Sequence, residues 1–360
     1  LVAVHRDHRT FSSQVGGTEL EELEKDPEAR EARRTMLETD PPEHTRIRKL
    51  VSRSFTRRAI ARWESTAKAL VAESIDQALL DHQTDFVETV ARRFPIQMIS
   101  RLLGVPDRDA EQLFHWADAV VYHADPDFSE LLYDKDDTDP YRLLPFRSPA
   151  SAKVFEFAKR LAGEKAKHPE ADVVSILAAS EDLTEQEFQT FFLLLVIAGN
   201  ETTRHSLSHG ALALAEFPDQ LDRLRGDPSL ISTATEEILR WASPQIHFRR
   251  TAVCETELAG VPIAVGDKVV TWYISANYDE RAFVDPYTLD LGRNPNPHVT
   301  FGGGGPHFCL GAWMARLEVR VFLEEVMNRV GRIRLNGEPQ RIRSNFINGL
   351  KHLPLTLEQV

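Results

Sequence analysis

The chain has 360 residues, 42% of them hydrophobic and 27% charged, and a formal net charge of −12. This is the profile of an ordinary soluble globular protein with material for one or two domains, and the acidity disfavours nucleic-acid binding as a global role. Two cysteines, Cys254 and Cys309, are too few for a disulfide framework and suit a reducing cytoplasm, while the longest apolar run, Phe191 to Ala198, is too short to span a membrane. The chain opens without methionine, and no signal-peptide pattern follows Leu1.

Apolar spacing predicts helices over 42–54, 58–81, 86–103, 108–122, 150–167, 173–179, 185–216, 218–225, 231–241 and 310–329. Strand-like stretches are few: 248–253, 256–258, 261–263, 268–273 and a tail near 353–357. Residues 123–148, rich in Asp, Pro and Tyr, read as a surface loop or lid. The first strong helix places His44 and Arg48 one turn apart on one face. Arg46, Arg53, Arg57 and Arg58 form a basic cluster there, either a solvated face or a docking face for an acidic partner.

The long helix opens with a capping-box pattern at Thr184 and Glu187. Its apolar run then turns abruptly into Ala198-Gly199-Asn200-Glu201-Thr202-Thr203. Gly199 costs about 1 kcal/mol there relative to alanine, and Thr202 can bond back to a carbonyl one turn earlier. One reading is a helix leaving the core for solvent; the other is a functional break. Glu237 and Arg240, three apart on the next helix but one, have the spacing of a solvated ion pair.

The stretch Phe301-Gly302-Gly303-Gly304-Gly305-Pro306-His307-Phe308-Cys309-Leu310-Gly311 is the most informative. Glycines let a backbone approach something flat and bulky. Leu310, Met314, Leu317, Val321 and Phe322 follow at helical spacing, with Gly331 placed as a C-terminal cap. Cys309 therefore stands just before a helix, where free N–H groups favour a thiolate. A lone thiolate suits the axial position of a metal. Other readings stay open. A phosphate cradle lacks the Gly-Lys-Ser/Thr that should follow. A structural cysteine is the common case. A zinc site from His298, His307 and Cys309 fits no common spacing.

Taken whole, the string resembles the haem-binding loop of cytochrome P450, with Phe301, Gly305, His307, Cys309 and Gly311 at matching positions. The phenylalanine-to-cysteine spacing is one residue longer than usual, a form similar to actinobacterial P450s acting on sterols and methyl-branched lipids. Ala198-Gly199-Asn200-Glu201-Thr202 resembles the oxygen groove of that family, and Glu237-x-x-Arg240 with Arg293 resembles its structural triad. The resemblance covers nearly all the chain. It implies a mainly α (α+β) protein, a large helical body with a small β-sheet element, in one domain over 1–360 whose first helix and strands would precede Leu1.

The resemblance also implies haem b (iron protoporphyrin IX) ligated by Cys309, a ligand that pushes electron density onto iron. Ala198 and Gly199 would make room above the iron, beside the loop residues Phe301 and Gly311. His44, Arg48, Arg250 and His307 would bind the propionates, Arg250 being preferred to Arg249. Thr202 would hold dioxygen, and Glu201 would relay protons inward. The pocket would be lined by Leu195, Ala198, Gln245, Ile246, His247 and Ile347, with parts of 15–20 and 116–132.

The implied activity is monooxygenation of a hydrophobic small molecule: a sterol, isoprenoid or branched fatty acid. Electrons would come from NAD(P)H through ferredoxin reductase and ferredoxin, and the protein would act as a cytoplasmic monomer. Gln245 and His247 also allow an oxygenated terpenoid or polyketide. Two other readings are a haem-thiolate sensor or carrier without turnover, against which Glu201 and Thr202 stand, and a non-haem helical protein with a structural cysteine.

Overall fold

The computed structural model describes residues 1–21, 25–81, 83–132 and 135–360; Tyr133 and Asp134, within the expected lid, lie outside the described residues. Helices dominate: α1 (Val2–Arg6), α2 (Pro27–Arg33), α3 (Glu43–Ser52), α4 (Arg57–Ile60), α5 (Glu64–Leu80), α6 (Arg93–Leu103), α7 (Asp107–Val121), α8 (Ala150–Lys167), α9 (Val173–Ala178), α10 (Glu185–Glu216), α11 (Pro218–Gly226), α12 (Ile231–Ala242), α13 (Tyr273–Asn277) and α14 (Ala312–Arg329). The strands are β1 (Phe11–Ser12), β2 (Gln83–Asp85), β3 (His247–Ala252), β4 (Thr256–Leu258), β5 (Val261–Ile263), β6 (Lys268–Trp272), β7 (Val330–Leu335), β8 (Gln340–Arg341), β9 (Leu350–His352) and β10 (Pro354–Gln359). They form small antiparallel sheets in the orders β1-β3-β6, β2-β10-β7, β4-β5 and β8-β9.

The predicted helix over 86–103 is a π-helical turn, Val87–Arg92, running into α6. Pro95 has no N–H to close the turn behind it, which favours the wider winding. The expected helix over 58–81 is broken by a 3₁₀ turn at Ala61–Trp63 before α5. Gly331 is not a helix cap. α14 ends in extended backbone at Val330, and a Cβ on Gly331 would lie 2.9 Å from the Gln359 carbonyl oxygen. Its missing side chain lets β10 pair against β7. The short strands β1, β2, β7, β8 and β9 carry too few residues, or too little alternation, to be predicted.

α10 runs through the centre as one continuous helix, its start closed by the Thr184–Glu187 capping box. It does not leave the core: Asn200, Glu201 and Thr203 to Ala211 are all buried. Two glycines set its packing. A Cβ on Gly199 would sit 2.6 Å from Ile99 Cδ1, and one on Gly210 would sit 2.9 Å from Ile238 Cγ2, so α6 and α12 both approach closely. Phe191, Phe192, Val196, Leu207 and Leu214 join Val319, Phe322 and Val326 of α14 in one core.

The loop that carries Cys309 is fastened to α12 by two adjacent carboxylates. Glu237 and Arg240 are not a surface pair: both side chains are fully buried. Glu237 accepts from Arg240 Nε and Nη2 at 2.7 and 2.8 Å, from Arg293 Nε at 3.1 Å, from Asn296 Nδ2 at 3.1 Å and from the Asp290 N–H at 3.1 Å. Arg293 in turn donates to the carbonyls of Val284, Asp285 and Thr288. Glu236 accepts from Arg316 at 2.6 and 2.9 Å and lies 2.9 Å from His298 Nε2. Burial raises Glu236, but His298 and Arg316 hold it down at about 2.

Glu237→Ala would leave two buried guanidinium groups without their carboxylate. It is expected to destabilise the fold by about 3–5 kcal/mol, measured by denaturant unfolding; a loss below about 1 kcal/mol, the scale of a surface pair, would contradict the triad's role.

Candidate active site

A cavity of about 250 Å³ separates α10 from the cysteine loop. Ala198, Gly199, Glu201 and Thr202 line one side; Phe301, Gly302, His307, Cys309 and Gly311 line the other. A smaller cavity of about 90 Å³ shares Ala198, Thr202, Phe301 and Cys309 and reaches Glu318. The sulfur is therefore not packed against aliphatic groups. Cys309 is accessible yet enclosed by protein, because it opens into the cavity and not onto the outer surface. A wider cleft of about 970 Å³ near His8, Asp40 and Lys49 is open to solvent and does not reach Cys309. Enclosure and convergent polar groups favour the 250 Å³ cavity as the site.

Gly302, Gly304 and Gly305 all have positive φ, which folds the loop back so that the Cys309 N–H donates to the Phe301 carbonyl at 2.9 Å. The close approach that the glycines permit comes from α1: a Cβ on Gly303 would lie 2.8 Å from Val2 Cα, one on Gly305 would strike the His5 carbonyl, and Arg6 donates to the Gly303 carbonyl. The expectation that they admit a flat partner is corrected to that extent. The thiolate expectation is also corrected. Burial pushes the Cys309 thiol up, against the Gly311 N–H, Arg48 and Arg316, so the helix terminus alone does not ionise it; a coordinated metal ion would.

The basic residues from three remote segments do converge. The His44 and His307 rings are 4.3 Å apart. Arg48 donates to the Phe308 carbonyl at 2.6 Å, and Ser13 Oγ lies 3.1 Å from His307 Nε2. Arg250 is buried on β3, donates to the Arg249 carbonyl, and has no carboxylate within 4 Å among the described residues. Arg249 points elsewhere, donating to the Glu21 carbonyl. Neither ring nitrogen of His44, nor Nδ1 of His307, has a hydrogen-bond partner. Burial, with Arg48 close by, draws His44 down to about 4. Burial with Arg250, His44 and Arg48 draws His307 to about 2. Cations and orphaned nitrogens packed this closely form a site with excess positive charge, which Asp40 and Glu38 nearby only partly offset.

On α10, Thr202 donates to the Ala198 carbonyl at 2.8 Å. Gly199 leaves space for Ile99 on α6, so only its backbone borders the cavity; the clearance at the cavity is Ala198's. Asn200 donates to Glu201 Oε1 at 2.7 Å, Arg204 lies 3.4 Å from that oxygen, and Oε2 makes no hydrogen bond. Burial pushes Glu201 well above the usual carboxylate range, with Arg204 opposing and Asp118 adding to the rise.

Of the expected pocket residues, Leu195, Ala198, Gln245 and Ile347 line the cavity, joined by Phe248 and Phe346. Ile246 and His247 do not: His247 packs against Trp272 and Phe346 behind the wall. The Gln245 amide nitrogen is spent on the carbonyls of His247 and Phe346. Within 15–20 the wall has Thr18 and Glu19; nothing from 116–132 borders it, whereas Pro145 and Phe146 of the lid do. His298 belongs to Glu236, and no group of metal-ligating side chains stands among the described residues, which removes the zinc reading. Arg46 is paired with Glu43 and Glu187, so the basic face reduces to exposed Arg53, Arg57 and Arg58. Sequence reasoning missed Tyr273, whose hydroxyl lies 3.4 Å from His5 Nε2 on the cavity rim, and Glu236 with Arg316. Nothing local marks these residues, because their partners are far away in the chain.

A family model described as cytochrome P450 matches residues 229–332. The Mycobacterium tuberculosis methyl-branched lipid omega-hydroxylase is 41% identical over 92% of this chain and 76% of its own length. The Mycobacterium tuberculosis steroid C26-monooxygenase is 40% identical over 88% of this chain and 70% of its own. A solved Mycobacterium marinum cytochrome P450 in complex with pseudoionone superposes with a TM-score of 0.89 at 39% identity, covering 99% of this chain and 84% of that one. The chain belongs to the cytochrome P450 family and is a monooxygenase of that family. Membership implies a haem cofactor, and the residues fit one: a sulfur facing a cavity under α10, with a cluster of basic groups lacking an anion beside it.

His44 is kept neutral in the fold at about 4, against 6.5 when free. The unfolded chain takes up a proton that the fold refuses, so this part of the stability is whole above pH 6.5 and falls as pH drops towards 4. In protein stripped of bound anions, His44→Gln is expected to flatten that acid loss in denaturation midpoints measured against pH. An unchanged slope would mean that His44 is not buried neutral.

Proposed function

We propose that this enzyme binds haem b through Cys309 and hydroxylates a methyl-branched or sterol-like lipid, with terminal carbon as the position attacked. The observation that carries this reading is the cavity bounded by Cys309 on one side and Ala198 to Thr202 on the other. Its remaining wall is largely apolar, with Leu194, Leu195, Phe146, Phe346 and Ile347, which suits a hydrophobic substrate. The two named Mycobacterium relatives support the lipid class.

When bound, haem supplies dioxygen activation and the insertion of one oxygen atom into a C–H bond, the other leaving as water at the expense of two electrons and two protons. His44, Arg48, Arg250 and His307 would neutralise its two carboxylates, and His44 and His307 could take up protons once that charge is present. Phe301 and Gly311 bracket the cysteine. Burial disfavours the charge on Glu201 and pushes its carboxyl well above the usual carboxylate range, against the opposing pull of Arg204. Thr202, the next residue, donates a hydrogen bond from its hydroxyl to the Ala198 carbonyl at rest. Turning that hydroxyl into the cavity, and reloading it from Glu201, delivers protons at a fixed point next to the reacting centre.

Electrons are proposed to come from NAD(P)H by way of ferredoxin reductase and ferredoxin. Exposed Arg53, Arg57 and Arg58 support this, with Arg57 set 5.4 Å from the half-exposed ring of Trp313, four residues after the cysteine. Such a patch attracts an acidic partner. A cytoplasmic monomer of one domain fits two free cysteines, and no described helix is long and apolar enough to cross a membrane.

Cys309→Ser is expected to abolish the red-shifted Soret band of the reduced, carbon-monoxide-treated protein; a retained band would displace Cys309 as ligand. Thr202→Ala should keep that band and continue to consume oxygen, while product formed per oxygen falls about tenfold or more. Undiminished coupling measured by oxygen electrode and product analysis would remove the hydroxyl from proton delivery.

A further inference from the structure

Among the described residues, the cavity wall carries a carboxyl that has neither a hydrogen bond nor an ion pair. Thr18 and Glu19, with Thr35 to Glu38, form the side contributed by the segment between β1 and α3. Glu38 is fully engaged there. It accepts from the Thr35 N–H at 2.8 Å and from the hydroxyls of Thr35 and Thr18 at 2.5 and 3.0 Å. Glu19 is different. It lines the cavity, is enclosed by protein, and its carboxyl makes no hydrogen bond or ion pair among the described residues. Burial, with Glu38 and Glu21 nearby and only Arg33 opposing, pushes it up to about 8. It is thus a neutral acid at neutral pH, holding both a donor and an acceptor in a largely apolar enclosure. A buried polar group left unpaired is costly. Of the side chains that sequence alone put in this role, Gln245 has its amide nitrogen engaged by backbone and His247 stands behind the wall.

We infer that Glu19 is a specificity-determining residue that receives the oxygen function of a neutral isoprenoid, an alcohol or ketone, in the substrate cavity. This rests on the monooxygenase site proposed above and narrows its substrate class. A neutral carboxyl accepts from a hydroxyl and donates to a hydroxyl or carbonyl oxygen. It does not welcome a fatty-acid carboxylate, which would add negative charge beside Glu38 and Glu21. A substrate held by its oxygen at Glu19 presents another part of its skeleton to the Cys309 wall.

The test is a spin-state titration of the haem-loaded protein with three ligands of one skeleton: hexahydrofarnesol, its parent alkane farnesane, and the carboxylic acid of that skeleton. The thiolate Soret band is recorded first for each variant. Wild type is expected to bind the alcohol roughly tenfold more tightly than the alkane, and the acid more weakly than the alcohol. Glu19→Leu should bind alcohol and alkane alike, while Glu19→Gln, which keeps a donor and an acceptor, should retain most of the preference. The inference is overturned if Glu19→Leu keeps the preference for the alcohol, if wild type binds the acid or the alkane as tightly, or if no ligand moves the spin state while the band is present. Absence of the band from wild type is a separate failure, of the Cys309 reading itself, and shows before any ligand is added.

Discussion

Two neighbouring carboxylates on α12 set the position of everything that matters chemically in this molecule. Glu237 draws in Arg240, Arg293 and Asn296, and Glu236 draws in His298 and Arg316. The second carboxylate is the more telling, because His298 precedes the glycine loop and Arg316 follows Cys309. Both ends of the loop are held on one helix turn, and the loop between them has little freedom to drift. Asn277 of α13 adds to the clamp by accepting from the Val299 N–H and donating to Thr300. Buried ion pairs contribute little net stability against well-packed apolar alternatives. Here their value is geometric, since a reactive sulfur must be fixed relative to a helix that is remote in sequence.

The second constraint is electrostatic. His44, Arg48, Arg250 and His307 come from α3, β3 and the cysteine loop, and their mutual repulsion and burial force two imidazoles neutral. An arrangement so short of negative charge is at odds with folding for its own sake. It becomes favourable when a dianion sits among the four groups, and a porphyrin with two carboxylates supplies one. On the opposite wall the logic is reversed. Burial raises the carboxyls of Glu201 and Glu19 above the usual carboxylate range, and both residues line the cavity. The same enclosure therefore yields a cationic rim for the cofactor and, at Glu201 and Glu19, acids whose charge burial disfavours.

The sequence was informative wherever function rests on local pattern. The capping box at Thr184 placed the start of α10, and the periodicity gave its whole length through Glu216. The cysteine loop, the Glu201–Thr202 pair and the Glu237–Arg240–Arg293 triad were legible as motifs because each is a fixed spacing. Long-range packing was not legible. Gly331 looks like a cap until β10 lies against it, Gly199 looks like a clearance for ligand until Ile99 fills the space, and His247 looks like pocket until Trp272 and Phe346 screen it. Glu236 gave no signal, and the expectation for 15–20 did not single out Glu19, since an acid in a polar stretch shows neither its burial nor its partners.

The central claim is that Cys309 contributes a sulfur to iron beneath α10. X-ray absorption at the iron edge of the purified, haem-loaded protein tests it most directly. The account predicts one sulfur in the first shell of iron, lost in Cys309→Ser, with Cys309 of the loaded protein shielded from thiol alkylation. A first shell of nitrogen and oxygen alone, with Cys309 open to alkylation, would contradict it.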